Sequence, residues 1–228
     1  MSKKTFYSEL AYVFGLILLA FSTSLMTLAN FGLSMVVAPA YIFHVWLQPI
    51  FPFFSFGMAE YVFQAVLLLL MMLIVRRFRL RYLFAFATAV LYGFLLDFFL
   101  FVLSPLPTGL LWVRLLLFFL GMAICSLGVS LMFHTYLAPE VYELFVKEIS
   151  KVYHLSISRF KTVYDCSSCL LALLLSFLFF GFGTFVGVNW GTVVCALVNG
   201  FLIGRFSSLL EHFFVFPPAF KGKSAEKV

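Results

Sequence analysis

The chain has 228 residues, of which 64% are apolar and 20% aromatic, with 11% charged and a net charge of +6. Soluble domains carry about 25% charged residues, so this composition excludes an ordinary soluble domain and points to lipid. The excess of Lys and Arg does not point to nucleic acid, because nearly all of it lies in short segments between apolar runs, as in the cytoplasmic loops of membrane proteins.

About 20 apolar residues cross a hydrocarbon core. Six segments qualify: 10–29, 58–75, 82–103, 110–133, 163–181 and 191–213. "MSKK" leads into the first without a small-residue cleavage site, so a retained first helix is expected rather than a signal peptide. The stretch "LANFGLSMVVAPAYIFHVW" (28–46) is apolar but broken by Asn30, Gly32, Ser34 and Pro39. As a further crossing it would move "RRFRLR" (76–81) to the side opposite "MSKK". With six crossings, every Lys and Arg except Arg114 and Arg205 falls on one side. The bias of basic loops toward the cytoplasm then places both termini there. Residues 28–47 are expected to end the first span and continue as a short re-entrant or interfacial helix from Pro39, a residue suited to a first helical turn.

The chain repeats itself. Ala38-Pro39 recurs as Ala138-Pro139; "FGMAEYVFQAVLLLL" (56–70) parallels "FKTVYDCSSCLLALLL" (160–175), each with an early acid; "AVLYGFLLDFF" parallels "ALVNGFLIGRF", with Gly93 matching Gly200. Each half reads span, short Ala-Pro helix, span, span. Three crossings per half turn the second copy upside down. The expected fold is therefore an all-α polytopic membrane protein of six transmembrane helices, a 3+3 inverted repeat with an extra short helix in each half. The repeats cover 10–103 and 110–213 of a single membrane domain, followed by a cytoplasmic tail at 214–228. Pro39, Pro139, Gly93 and Gly200 are its structural markers, the glycines through close helix packing.

Ionisable residues at membrane depth are costly and by default face the bundle interior. Glu60 with Gln64 at i+4, and Asp165 with Ser168 and Cys169 at i+3 and i+4, each place an acid and neutral polar groups on one helix face. These two acids are candidates to bind a cation, an amine or a proton, with capping of a helix start as the alternative. Asp97 and Arg114, on spans joined by "SPLPTG", are expected to form an ion pair, with substrate contact second. Arg205 needs a carboxylate, a carbonyl or an anionic solute; Thr192 and Asn199 share a face of the last span. Cys166 and Cys169 form a C-x-x-C, but no second Cys/His pair has ligand spacing, and packing is the expected role. No metal, cofactor or nucleophile motif is expected.

"LANFGLSMVVAPAYI", "LAPEVYELFVKEIS", "RFKTVYDCSSC" and "NWGTVVCALVNGFLIG" together resemble the YitT/YczE/YyaS-type bacterial integral membrane proteins over about residues 10–210. The resemblance implies a bacterial membrane protein and suggests transport without naming cargo. It carries over Lys161, Asp165, Gly191, Thr192 and Asn199. Three functions stay open. The first is a small secondary transporter, proton- or cation-coupled, for a polar, zwitterionic or amine solute. The second is a substrate-binding membrane subunit of a larger energy-coupling transporter, docking through Glu143, Lys147 and Lys151. The third is an accessory protein or enzyme acting on a hydrophobic metabolite. Lipid is the expected environment, and a homodimer is left open.

Overall fold

The computed structural model describes residues 4–219; the first three residues and the basic stretch 221–227 lie outside them. Eight helices are present among the described residues: α1 (Ser8–Ala29), α2 (Ala38–Leu47), α3 (Phe56–Val75), α4 (Leu80–Leu103), α5 (Leu111–Phe133), α6 (Val141–Val152), α7 (Ile157–Phe180) and α8 (Trp190–Phe213). Six are long and apolar enough to cross a membrane; α2 and α6 are not among them. The expected starts of the spans agree to within a turn except in α7. That helix begins at Ile157 rather than near 163, because Arg159 and Lys161 continue the helix instead of ending it.

A short parallel ladder joins β1 (Lys4–Thr5) to β2 (Phe214–Val215). It brings the start of α1 and the end of α8 to one end of the bundle, as an even number of crossings requires. The α5–α6 connection reaches the same end, where Tyr136 donates from its backbone to Ser8 Oγ and from its hydroxyl to Glu9. So does the α3–α4 turn, where Arg79 meets Glu148 of α6 at 3.3 Å.

At the centre α1 and α5 run antiparallel, and each opposes a glycine to the other. A Cβ on Gly15 would lie 3.1 Å from the Gly128 carbonyl, and one on Gly121 would lie 3.0 Å from that of Ser22. Only small residues let helix backbones approach this closely. α4 then packs on α1, as α8 packs on α5; α6 packs on α3, as α2 packs on α7. Exchanging α1–α4 for α5–α8 reproduces these pairings, with corresponding helices pointing in opposite directions. Polar side chains tie both outer pairs. Tyr92 donates to Thr23 and Ser24 to the Leu96 carbonyl on one side. On the other, Ser126 and Ser130, spaced i and i+4, donate to Asn199 Oδ1 and the Ile203 carbonyl.

The short helices enter the bundle by their starts. In α2 the leading Ala38, Pro39 and Ala40 are buried, whereas Trp46, near its end, is exposed. α6 follows suit: Val141, Tyr142 and Leu144 are buried, and Lys151 and Val152 are exposed. α6 runs along α3 from Gln64, which accepts from the Val141 amide, to Ile74, whose carbonyl accepts from Tyr153. α2 runs along α7 to Phe179, against which Trp46 stacks at 4.2 Å. Pro39 occupies the first turn of α2, where its missing N–H costs nothing. Pro139 sits one residue before the N-cap of α6, which is Glu140.

The halves differ in two interfaces: α4 touches α6, with no comparable contact of α8 on α2. α3 lies against α4 with Gly57 on Gly93, backbone to backbone. The counterpart pair, α7 and α8, has no comparable interface, and nothing lies within 4 Å of a Cβ at Gly200 or Gly204. The packing role expected of Gly200 is therefore corrected: Gly93 packs, and Gly200 does not, because α8 stays on α5 and leaves its far face open.

Candidate functional site

The polar residues that the sequence places on separate helices converge on the first turn of α6. Glu60 and Gln64, one turn apart on α3, are both fully buried. Gln64 Nε2 donates to Glu60 Oε2 at 3.4 Å, while Gln64 Oε1 accepts the Val141 amide at 3.2 Å. The exposed amides at a helix start carry a partial positive charge, and here one of them is spent on this pair. Tyr142, the second residue of α6, donates its hydroxyl to Glu60 Oε2 at 2.9 Å. Burial, and then the Glu60 charge beside it, hold this phenol well above its ordinary range, so it remains a donor.

One residue earlier stands Glu140. Burial first, and then the neighbouring Glu143 carboxylate, push its carboxyl up to about 8, with Lys161 pulling the other way. Lys161 on α7 lies 2.9 Å from Glu143 and 3.4 Å from Asp165. Tyr164, one residue before Asp165, pairs with Ser168 and is within electrostatic reach of Asp165, Glu143 and Glu60. The cluster thus holds four carboxyl groups, Glu60, Glu140, Glu143 and Asp165, around one ammonium, Lys161. Glu60 Oε1, Glu140 Oε1 and Asp165 Oδ1 are buried with no hydrogen-bond partner among the described residues, the last of them facing the Lys161 ammonium at 3.4 Å.

Among the sequence candidates, Glu60, Gln64, Lys161, Asp165 and Ser168 belong to this cluster. Glu60 lies in the second turn of α3 and Asp165 in the third turn of α7, and the half-helix α6 packs against both helices. The rest serve elsewhere. Asp97 does not pair with Arg114: it accepts from Ser55 Oγ at 2.5 Å and the Gly57 amide at 2.8 Å, capping α3. Arg114 instead donates to the carbonyls of Ala29 and Asn30 and lies 4.6 Å above the Phe31 ring, closing the end of α1. Thr192 forms a capping box with Asn189 at the start of α8, and Asn199 accepts from Ser126. Arg205 is exposed on α8 over the Phe201 ring at 5.3 Å and has no ion pair among the described residues. Cys166 and Cys169 are free thiols, and the described residues hold no group of metal ligands.

Glu140 and Tyr142 are not among the sequence candidates, and Glu143 is there only as a docking residue, since α6 reads in sequence as a charged surface helix. The available signal was a break in the repeat: Ala-Pro is followed by Ala40 in the first copy and by Glu140 in the second. The same geometry weakens Glu143 as a docking residue, because it faces Lys161 inside the cluster.

A family model described as a family of unknown function, DUF6198, matches residues 6–208, and the chain belongs to that family. No curated protein and no solved structure matches it.

Proposed function

We propose that this chain is a small secondary transporter that moves a cationic, amine or zwitterionic solute by alternating access between its two halves, with protons or a cation balancing charge at the Glu60–Glu140 cluster. One observation carries the reading: four carboxyl groups share one ammonium in a partly buried site, and three of their oxygens are buried without a hydrogen-bond partner among the described residues. Bare carboxylates in a low-dielectric interior cost several kcal/mol each, so the cluster favours protonation or a bound cation, and exchange between the two is a coupling step. Two half-helices whose starts meet the interior from opposite ends are the arrangement that carriers built from inverted repeats use at their sites. The proposal includes a bacterial cytoplasmic membrane, the basic end facing the cytoplasm, and kinship with the YitT/YczE/YyaS-type proteins on the motifs quoted above.

The test is a thermal-shift screen of purified protein against amines, amino acids and organic acids from pH 5 to 8, followed by uptake of any hit into proteoliposomes under an imposed pH gradient. A ligand bound only by the native state raises Tm as its concentration passes Kd. We expect amines or zwitterions to do so, and Glu60→Gln to lower uptake at least tenfold while keeping a folded protein. A library whose only hits are organic acids, or uptake unchanged in both Glu60→Gln and Glu140→Gln, would sink the reading.

A further inference from the structure

A second polar feature lies outside this cluster, at the bundle end where α3 turns into α4 against the end of α6. A cavity of about 350 Å³ there is lined by Val75, Arg77, Arg79, Glu148, Lys151 and Val152. Arg76, in the left-handed conformation at φ 52°, ends α3 and swings the chain so that Arg77 and Arg79 both reach the cavity. Three cations face one acid. Glu148 is nearly buried and already satisfied by Arg79 at 3.3 Å and by the Tyr82 hydroxyl at 3.0 Å. Arg77 and Lys151 have no ion-pair partner among the described residues. The cavity therefore carries two uncompensated positive charges.

We propose that this cavity binds the phosphate of an anionic phospholipid and that the bound lipid steadies α6, the half-helix that carries Glu140 and Tyr142. Guanidinium groups match phosphate oxygens in pairs, and a lysine adds a point charge. Basic pockets at the end of a helix bundle select anionic headgroups for that reason. A lipid is favoured over a free anion by the surroundings. Leu73, Ile74, Phe78 and Leu80 flank the basic turn, and each is substantially exposed, which gives acyl chains an apolar surface next to the headgroup. The link to α6 runs through Arg79, which would hold Glu148 and the phosphate together.

The experiment is Tm of the full chain in nanodiscs of phosphatidylcholine alone and with one-fifth phosphatidylglycerol, repeated at low and high salt, with inorganic phosphate added to the neutral discs as a separate arm. The wild type is expected to melt higher with phosphatidylglycerol at low salt. The double variant Arg77→Gln/Lys151→Gln should lose most of that increment while melting like wild type in phosphatidylcholine, since neither side chain is paired. Arg81→Gln, at the same end but outside the cavity, should keep it. An equal loss in Arg81→Gln would mean diffuse attraction to an anionic surface and would overturn the assigned site. A full increment from inorganic phosphate would overturn the lipid. No increment from phosphatidylglycerol would overturn both.

Discussion

At the residue scale, the cluster depends on groups whose partners are few and buried. Gln64 is the clearest, since it joins the Glu60 carboxylate to the first amide of α6. Gln64→Ala would strand a buried N–H, which costs about 1–3 kcal/mol, and a fall in Tm with no change in helix content would register it. Glu140 makes a prediction about pH. Its folded pKa, about 8, lies above the ordinary 4.5, so the native state holds this proton more tightly than the unfolded chain does. Stability from this group is complete below pH 4.5 and declines as pH rises from 4.5 to 8. Glu140→Gln removes that slope, and Tm measured from pH 5 to 8 should be flatter in the variant than in the wild type. Asp97 separates structure from function: as a cap on α3, Asp97→Ala should cost about 0.5–2 kcal/mol and leave the solute selectivity of any transport unchanged.

At the scale of elements, the two glycine positions paired by the repeat give opposite expectations. On α4, a Cβ at Gly93 would lie 2.6 Å from the Gly57 carbonyl. Overpacking of this kind costs about 1–3 kcal/mol, so Gly93→Ala should lower Tm and loosen α3 from α4. On α8, Gly200→Ala adds a methyl group to open space and should leave Tm unchanged or slightly raised, because alanine is the better helix former. Equal losses at both sites would mean that α7 and α8 are packed together in the working protein. The short helices follow the same logic of ends. α6 is held at its start by Gln64 and near its end by Arg79 through Glu148, so a movement of α6 must break one tether or the other.

At the scale of the whole molecule, the ladder between β1 and β2 and the contacts of Tyr136 and Glu148 put the start of α1, the end of α8 and the basic α3–α4 turn at one end. The α7–α8 connection lies at the other, where Phe182 is 94% exposed. In a background lacking native cysteines, Arg77→Cys and Phe182→Cys should therefore react with a membrane-impermeant thiol reagent from opposite sides of sealed vesicles. Labelling of both from one side would contradict the six-crossing arrangement.

The sequence by itself determined the spans, the short helices and the repeat, because length in lipid, proline at a helix start and the placement of basic residues are local quantities. It marked Glu60, Gln64, Lys161, Asp165 and Ser168 because an ionisable group in an apolar run stands out wherever the chain goes. Tertiary structure alone decided which polar residues meet. Asp97 and Arg114 look like partners along the chain, yet each closes a helix end, since unsatisfied amides and carbonyls nearby are stronger claimants than a distant opposite charge. Glu140, Tyr142 and Glu143 look like a solvated face, yet they sit inside, because the chain before α6 dips into the bundle and delivers the start of that helix between α3 and α7. The direction in which a half-helix points is set by the interface it fills, and no local pattern records it.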